Sequence, residues 1–197
     1  MPENEAAKKP GSGIVFRGLA YLIDCVCAFV IFAIAQLLIF LPARNAIGIS
    51  DQWFRSGINT EVYTLLTISA PVWLYFSLME SSRWQATIGK RLLGLCVIDA
   101  ASSSKVSFGQ AALRTVIKLA PWELAHIGNN LPDPIWYAED PSFRIAFVFS
   151  GLLMAGYMAW ISLSGRRRGV HDLVTGTLVI CTHPPVLGDS PEQAIDS

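Results

Sequence analysis

An apolar run from Gly18 to Leu41 constrains this chain most, because it is long enough to cross a bilayer as a helix. Asp24 is the only charged residue inside the run, and Arg17 stands directly before it. Seven residues are close to two helical turns, so the two side chains share a helix face, roughly 10 Å apart along the axis. A charge at membrane depth costs roughly 2.5–3.5 kcal/mol. Asp24 therefore needs a partner, a water-filled cavity or a bound proton, and it marks a candidate site.

The composition favours a membrane protein. Hydrophobic residues make up 52% of the 197, charged residues only 15%, and the mean hydropathy is +0.44, whereas soluble domains carry about 25% charged residues. The net charge is zero, and no basic stretch is interleaved with aromatic residues, so nucleic acid is not an expected partner. The four cysteines show neither metal-ligand spacing nor a disulfide framework. We expect no metal and no cofactor.

Two further segments, Val62–Met79 and Ile145–Ser164, also pass the length test for a spanning helix. Pro42 is expected to end the first helix and Pro71 to kink the second. The segment Phe108–Ile127 is ambiguous, because hydropathy alone would place it at the membrane interface. It contains the polar or helix-breaking residues Arg114, Lys118, Pro121, Glu123 and His126.

The charge distribution resolves this ambiguity. The loop at 128–140 holds three acidic residues and no Lys or Arg, which fits the outside of the membrane, whereas the Arg cluster at 166–168 fits the cytoplasm. Both conditions hold only if 108–127 crosses the bilayer. We therefore predict an all-α membrane protein, a four-helix transmembrane bundle with helices at about 17–41, 61–80, 108–127 and 144–164. It would be a multi-pass protein of the inner or plasma membrane with both termini cytoplasmic.

Two short β-prone runs, at about 92–99 and 176–182, flank the last two helices, and we expect them to pair as a small cytoplasmic two-stranded β ribbon. Such a ribbon is marginal alone, so it must lean on the helix ends. Residues 14–183 would form the membrane domain. Residues 1–13 are predicted to be a flexible cytoplasmic tail, and residues 184–197 a disordered one.

A stripe of small residues, Gly151, Ala155 and Ala159, recurs every four positions in the last apolar segment. Small residues let helices approach closely, so we expect the stripe to serve core packing or to offer an oligomer interface. The expected partners are the lipid bilayer and either further copies of this chain or other membrane subunits.

The motifs, taken in order, resemble those of the RDD family of small integral membrane proteins. An Arg opening the first helix, an Asp within it and a late Asp in the stretch HDLVTGT match at Arg17, Asp24 and Asp172. The stretch QATIGKRLLGLCVID at 85–99 is similar to the family's TxGKxxxGxxV signature, and Arg114 falls where a further Arg often appears. Cys96 departs from the family, in which a basic residue is common there. The resemblance covers about 14 to 182. It implies a mostly bacterial membrane protein for which transport has been suggested, some members looking like sodium/proton antiporters.

We predict that Arg17, Asp24 and Asp172 form one network at the cytoplasmic mouth of the bundle. In one interpretation the network is a structural clasp in which Arg17 neutralises both carboxylates. In the other, Asp24 is protonated and deprotonated during a proton- or cation-coupled cycle. His171 would either titrate near neutral pH or make a boundary hydrogen bond. The secondary candidates for this cluster are Glu80, Lys90, Arg114 and His171.

The motifs do not predict an enzyme, since no Ser/His/Asp pattern, zinc spacing or carboxylate pair stands out. Nucleotide binding is excluded because Walker spacing before Gly89-Lys90 would need a glycine at Trp84. Two functions remain. The chain could transport an unknown ligand or ion, with Asp24 as the responsive group, or it could be a non-transporting structural or accessory membrane protein.

Overall fold

A computed structural model describes residues 14–138, 144–163 and 168–181. The described chain is mostly helical and carries one small antiparallel sheet, as predicted. The tails predicted for 1–13 and 184–197 lie outside the described residues. The regular elements are α1 (Ile14–Ala35), α2 (Leu41–Ile47), α3 (Gly57–Thr64), α4 (Ala70–Ser81), α5 (Ile88–Leu92), β1 (Leu95–Asp99), α6 (Phe108–Asn130), α7 (Ile145–Leu163), α8 (Val170–Val174) and β2 (Thr177–Cys181).

The first helix continues through Pro42, so the prediction that this proline ends it is wrong. A wide π-helical turn, Gln36–Phe40, joins α1 to α2, and the helix ends at Gly48, which has a φ of +78°. Proline normally clashes with the carbonyl four residues earlier, here that of Leu38. Because Leu38 lies in the wide turn, its carbonyl is displaced from the proline ring and the helix can proceed.

The second helix uses the same device. A wide turn, Leu65–Ser69, joins α3 to α4, and Pro71 follows it by two residues, as Pro42 follows the first wide turn. In each turn the closing N–H bonds five residues back, from Leu41 to Gln36 and from Ala70 to Leu65. Each proline therefore sits where the α-helical bonding pattern has already been interrupted.

Three helices are long and apolar enough to cross a membrane: Val15–Ile47, Gly57–Ser81 and Ile145–Leu163. The fourth predicted helix exists as α6, whose 23 residues begin with a capping box formed by Ser107 and Gln110. It packs against both α4 and α7. Because α6 contains three charged residues, it is not apolar enough to count as a candidate span. The described residues therefore contain three candidate spans and not the four that were predicted.

Helix α7 packs on α6 through two hydroxyl groups near Pro121, one of which replaces the hydrogen-bond donor that the proline lacks. Pro121 leaves the carbonyl of Ile117, four residues earlier, without its helical N–H donor. The Tyr157 hydroxyl donates to that carbonyl at 2.7 Å, and the Ser150 hydroxyl donates to the Pro121 carbonyl, also at 2.7 Å. These two contacts fix which face of α7 is turned towards α6.

The small-residue stripe therefore lies on the other side of α7. Gly151, Ala155 and Ala159 are exposed, and nothing lies within 4 Å of the position a Gly151 side chain would occupy. The prediction of core packing is wrong for the described chain. The rotation of α7 follows from the hydrogen-bonding needs of α6, which the spacing of small residues does not reveal.

The two strands pair antiparallel as predicted, with Leu95 opposite Cys181 and Asp99 opposite Thr177. One face of the ribbon belongs to a buried cluster with Ala20 of α1 and with Ala111 of α6. The buried ribbon residues of this cluster are Leu95, Val97 and Val179. The ribbon is thereby held against the first turns of α1 and α6, beside the charged residues described next.

Candidate functional site

The carboxylate of Asp24 is fully buried and accepts three hydrogen bonds. The Thr87 hydroxyl donates to one oxygen at 2.6 Å, and the Gly89 amide donates to the other at 2.8 Å. The Tyr75 hydroxyl donates to this second oxygen at 2.9 Å. Thr87 and Gly89 stand at the start of the short helix α5, so that helix docks on α1 through Asp24. All three donors are neutral groups.

Gly89 permits this docking because α5 touches the backbone of α1. A Cβ atom at position 89 would lie 2.1 Å from the carbonyl oxygen of Ala20 and 3.1 Å from Cγ of Asp24. Only glycine fits at that separation. The stretch Thr87-Ile88-Gly89-Lys90 thus has a physical explanation: a hydroxyl and an amide bind Asp24, a missing side chain allows contact, and Lys90 reaches a second carboxylate.

Arg114 bridges two other buried carboxylates. The residue is 1% exposed, and its guanidinium donates from Nη1 to Glu80 Oε2 at 2.5 Å. The same group donates to Asp172 Oδ1 from Nη2 at 2.7 Å and from Nε at 3.0 Å. An Arg fork between two carboxylates makes strong, directional, charge-assisted hydrogen bonds. Arg114 therefore holds α4, α6 and α8 together.

Two further cations extend this bridge at its ends. Arg17 Nη1 donates to Asp172 Oδ2 at 2.9 Å, and Lys90 Nζ donates to Glu80 Oε1 at 2.5 Å. Every oxygen of the two carboxylates thus binds a basic side chain. We call this chain of contacts the clasp; its members are Arg17, Asp172, Arg114, Glu80 and Lys90, from α1, α8, α6, α4 and α5.

The clasp corrects the pairing predicted from the sequence. Arg17 and Asp172 do meet, but the described donors to Asp24 are Tyr75, Thr87 and Gly89, and Arg114 rather than Arg17 joins two carboxylates. The spacing of Arg17 and Asp24 placed both on one face of α1. It could not show that α5 would be inserted against Asp24.

The ionisable groups of α8 respond to this environment. Burial alone would raise the pKa of Asp172, but Arg114, and also Arg17, lower it to well below its usual range. Burial lowers the pKa of His171 to about 3, so its ring is neutral at physiological pH. A neutral ring does not fit the predicted titration of His171 near neutral pH. Its Nε2 lies 3.7 Å from Asp172 Oδ1, and its buried Nδ1 has no hydrogen-bond partner among the described residues.

A second polar cluster, which no motif in the sequence predicts, is formed by residues of the second helix and of α6. The Ser69 hydroxyl donates to Glu123 Oε2 at 2.9 Å, and Trp73 Nε1 donates to Glu123 Oε1 at 3.2 Å. His126 Nδ1 lies 3.4 Å from the Ser69 hydroxyl. The arrangement is not a catalytic triad, because the serine donates to the carboxylate and both approach the same imidazole nitrogen. The only indication of this cluster in the sequence is that Glu123 and His126 lie three positions apart in one helix and so share a face.

Two cavities with shared lining residues lie beside these groups. The first, of about 280 Å³, is lined by Asp24, Lys118, His171 and parts of the clasp. The second, of about 260 Å³, is lined by Ser69, Glu123 and His126. Tyr21 and Trp122 line both, and Trp122 Nε1 donates to the Tyr21 hydroxyl at 2.5 Å. Within residues 14–138, 144–163 and 168–181, no cluster of three or more His, Cys, Asp or Glu could hold a metal ion.

Comparisons with known proteins agree with the motifs. The sequence model of the RDD family matches residues 12–176. The uncharacterized protein YxaI of Bacillus subtilis (strain 168) is 24% identical over 181 residues, which cover 88% of this chain and 98% of YxaI. No solved structure matches the chain. Because the family model spans well over half of the sequence, and both RDD aspartates are buried while the RDD arginine is half-buried and binds one of them, this protein belongs to the RDD family.

Proposed function

We propose that the chain crosses the inner or plasma membrane four times, with both termini in the cytoplasm. Helix α6 is 23 residues long, about 34 Å, which suffices to span the hydrocarbon core. Its two basic residues face protein rather than lipid: Arg114 binds Glu80 and Asp172, and Lys118 lies beside Glu80. Inward-facing charges of this kind are tolerated in spanning helices.

The position of the clasp supports this topology. Arg17 lies at the start of α1, Glu80 at the end of α4, Arg114 near the start of α6 and Asp172 after α7. Starts and ends alternate at one end of the bundle, as four antiparallel crossings require. Trp136, which is 55% exposed, would lie outside. In a cysteine-free background, Trp136→Cys should react with an impermeant maleimide on intact cells. Labelling only after permeabilisation would contradict the four-crossing topology.

Within that topology, the function we favour is a structural or accessory role in which the clasp fixes the cytoplasmic ribbon to the helix ends. One observation carries this proposal: each oxygen of Glu80 and Asp172 is bound by a basic side chain. Carboxylates saturated in this way have no position left for a transported ion. Removing one partner from a buried ion pair costs about 3–5 kcal/mol of stability. A contribution of this size explains the charged residues of the clasp without a transported ion. No catalytic step is part of this proposal.

Ion-coupled transport is the second candidate, and a different observation favours it. Asp24 is a buried acid that lines a cavity, and its described donors are all neutral. Glu123 and His126 line the next cavity, beyond Tyr21 and Trp122. A proton or sodium ion could pass between such groups. Four helices seldom enclose a complete pathway, so a transporter of this size would act as an oligomer or with other membrane subunits.

Flux and stability measurements separate the two functions. The protein is reconstituted in liposomes, and pH- or sodium-dependent flux is measured for wild type and for Asp24→Asn, a nearly isosteric change. The structural role predicts no flux above empty liposomes in either case, together with a lower melting temperature for Asp24→Asn. Wild-type flux that Asp24→Asn abolishes, with an unchanged melting temperature, would reject the structural role and support transport.

A further inference from the structure

Lys118 differs from the other buried cations in this region because its ammonium group is under-bonded. Its side chain is only 12% exposed, and the nearest carboxylate oxygen, Glu80 Oε1, is 3.9 Å away, beyond hydrogen-bond distance. The ammonium lies 3.4 Å from the centre of the Phe76 ring and 5.5 Å from that of Tyr21. A buried charge whose hydrogen bonds are not made is costly. Aromatic faces compensate such a charge only in part.

The surroundings of Lys118 carry an excess of positive charge. Four cations line the first cavity, whereas only three carboxylates lie in or behind its wall, and the His171 ring is neutral. The cations are Arg17, Lys90, Arg114 and Lys118, and the carboxylates are those of Asp24, Glu80 and Asp172. The hydrogen bonds of the clasp occupy both carboxylates beside Arg114, so Lys118 shares Glu80 with two other cations at 3.9 Å and has no hydrogen-bonded counter-ion among the described residues.

A second polar atom on the same cavity also lacks a partner. His171 Nδ1 is buried and makes no hydrogen bond to any described residue. The Lys118 ammonium therefore lines the cavity without a hydrogen-bond acceptor among the described residues, and the His171 ring lines the same cavity. This is a binding environment for an oxyanion.

The rim of the cavity has the opposite character. Met154 and Met158 of α7 line it and are 43% and 60% exposed, and Gly18 of α1 lines it as well. Apolar side chains exposed on spanning helices face lipid. The cavity therefore has an apolar rim at α1 and α7 and, in its interior, the Lys118 ammonium within a largely apolar lining. A water-soluble anion would match the interior alone, whereas an amphiphile matches both.

We propose that this cavity binds an acidic phospholipid, with the head-group phosphate at Lys118 and an acyl chain along Met154 and Met158. The site requires neither ion transport nor a particular role for the clasp, so it is tested independently of the proposed function. Cationic pockets between helices are a known means of binding acidic head groups.

The test uses the delipidated full-length protein in a neutral detergent. Its melting temperature is followed during titration with phosphatidylglycerol, with phosphatidylcholine of the same acyl chains, and with glycerol phosphate alone. Phosphatidylglycerol should stabilise the protein at a concentration about tenfold lower than phosphatidylcholine, the ratio expected for a charge-assisted contact. Glycerol phosphate should have little effect. Equal responses to the two lipids, or full stabilisation by glycerol phosphate, would overturn the proposal.

Two variants and one control locate the site. Lys118→Met should abolish the preference for phosphatidylglycerol, whereas Arg83→Gln, which removes an exposed basic residue outside the cavity, should retain it. Met158→Trp narrows the rim of the cavity and keeps every charge, so it should also weaken the preference for phosphatidylglycerol. This variant tests the site even if Lys118→Met does not fold. An undiminished preference in Met158→Trp, or in a folded Lys118→Met, would show that the lipid binds elsewhere.

Discussion

Replacing Gly89 by alanine should destabilise the protein, although alanine is normally the better helix residue. The added Cβ would lie 2.1 Å from the Ala20 carbonyl oxygen, more than 1 Å inside ordinary contact, and both atoms belong to rigid backbone. Helix α5 must therefore move away from α1. That movement lengthens the two bonds from α5 to Asp24, now 2.6 Å from Thr87 and 2.8 Å from the Gly89 amide.

The size of the effect follows from those two bonds. A hydrogen bond to a charged group contributes about 1.5–3 kcal/mol, so weakening both costs about 3–5 kcal/mol. Alanine in place of glycine within a helix returns about 0.5–1 kcal/mol. The expected net loss in the free energy of unfolding is about 2–4 kcal/mol.

Gly109 provides a matched control, because it also lies in a helix and nothing lies within 4 Å of its missing Cβ. Gly109→Ala should leave the stability unchanged or slightly increased. The assay is reversible unfolding in mixed micelles with increasing dodecyl sulfate, followed by circular dichroism, for wild type and both variants. If Gly89→Ala is as stable as Gly109→Ala, the contact between α5 and α1 is not what holds Asp24, and the explanation of the TIGK stretch fails.

Three other outcomes are expected. Arg114→Gln should lower the free energy of unfolding by about 3–5 kcal/mol, because it removes a cation that binds two buried carboxylates. Arg83→Gln changes an exposed position and should leave the stability unchanged. Equal melting temperatures for the two variants would contradict the structural role of the clasp. Tyr157→Phe should cost about 1 kcal/mol, since the Ile117 carbonyl beside Pro121 loses its donor, and a zero cost would mean that this carbonyl is satisfied otherwise. In the folded protein the pKa of His171 is lowered to about 3, whereas in the unfolded chain it is near 6.5. The neutral ring therefore contributes fully to the free energy of unfolding above pH 6.5, and this contribution is lost as the pH falls from 6.5 towards 3. His171→Gln should therefore flatten the stability profile over that interval, and an unchanged profile would assign the acid sensitivity to other groups.

The sequence predicted the elements well and their contacts only in part. Long apolar runs specify spanning helices, and two β-prone segments beside helix ends specify a ribbon, because both depend on local composition. The end of the first helix was predicted wrongly, since a wide turn before Pro42 has no composition of its own. The Ser69–Glu123–His126 cluster was missed because its members come from two helices and meet only after α4 packs on α6.

The sequence by itself determined that this is a membrane protein of the RDD family and that the charges of Arg17, Asp24 and Asp172 need partners, since charged groups in apolar surroundings require them. Only the tertiary structure decided which partners they have. A side chain's position along its own helix is set by local spacing, but the residue that faces it is set by the rotation and approach of another helix. That is why Asp24 meets Thr87 and Gly89, and why Arg114 completes the clasp.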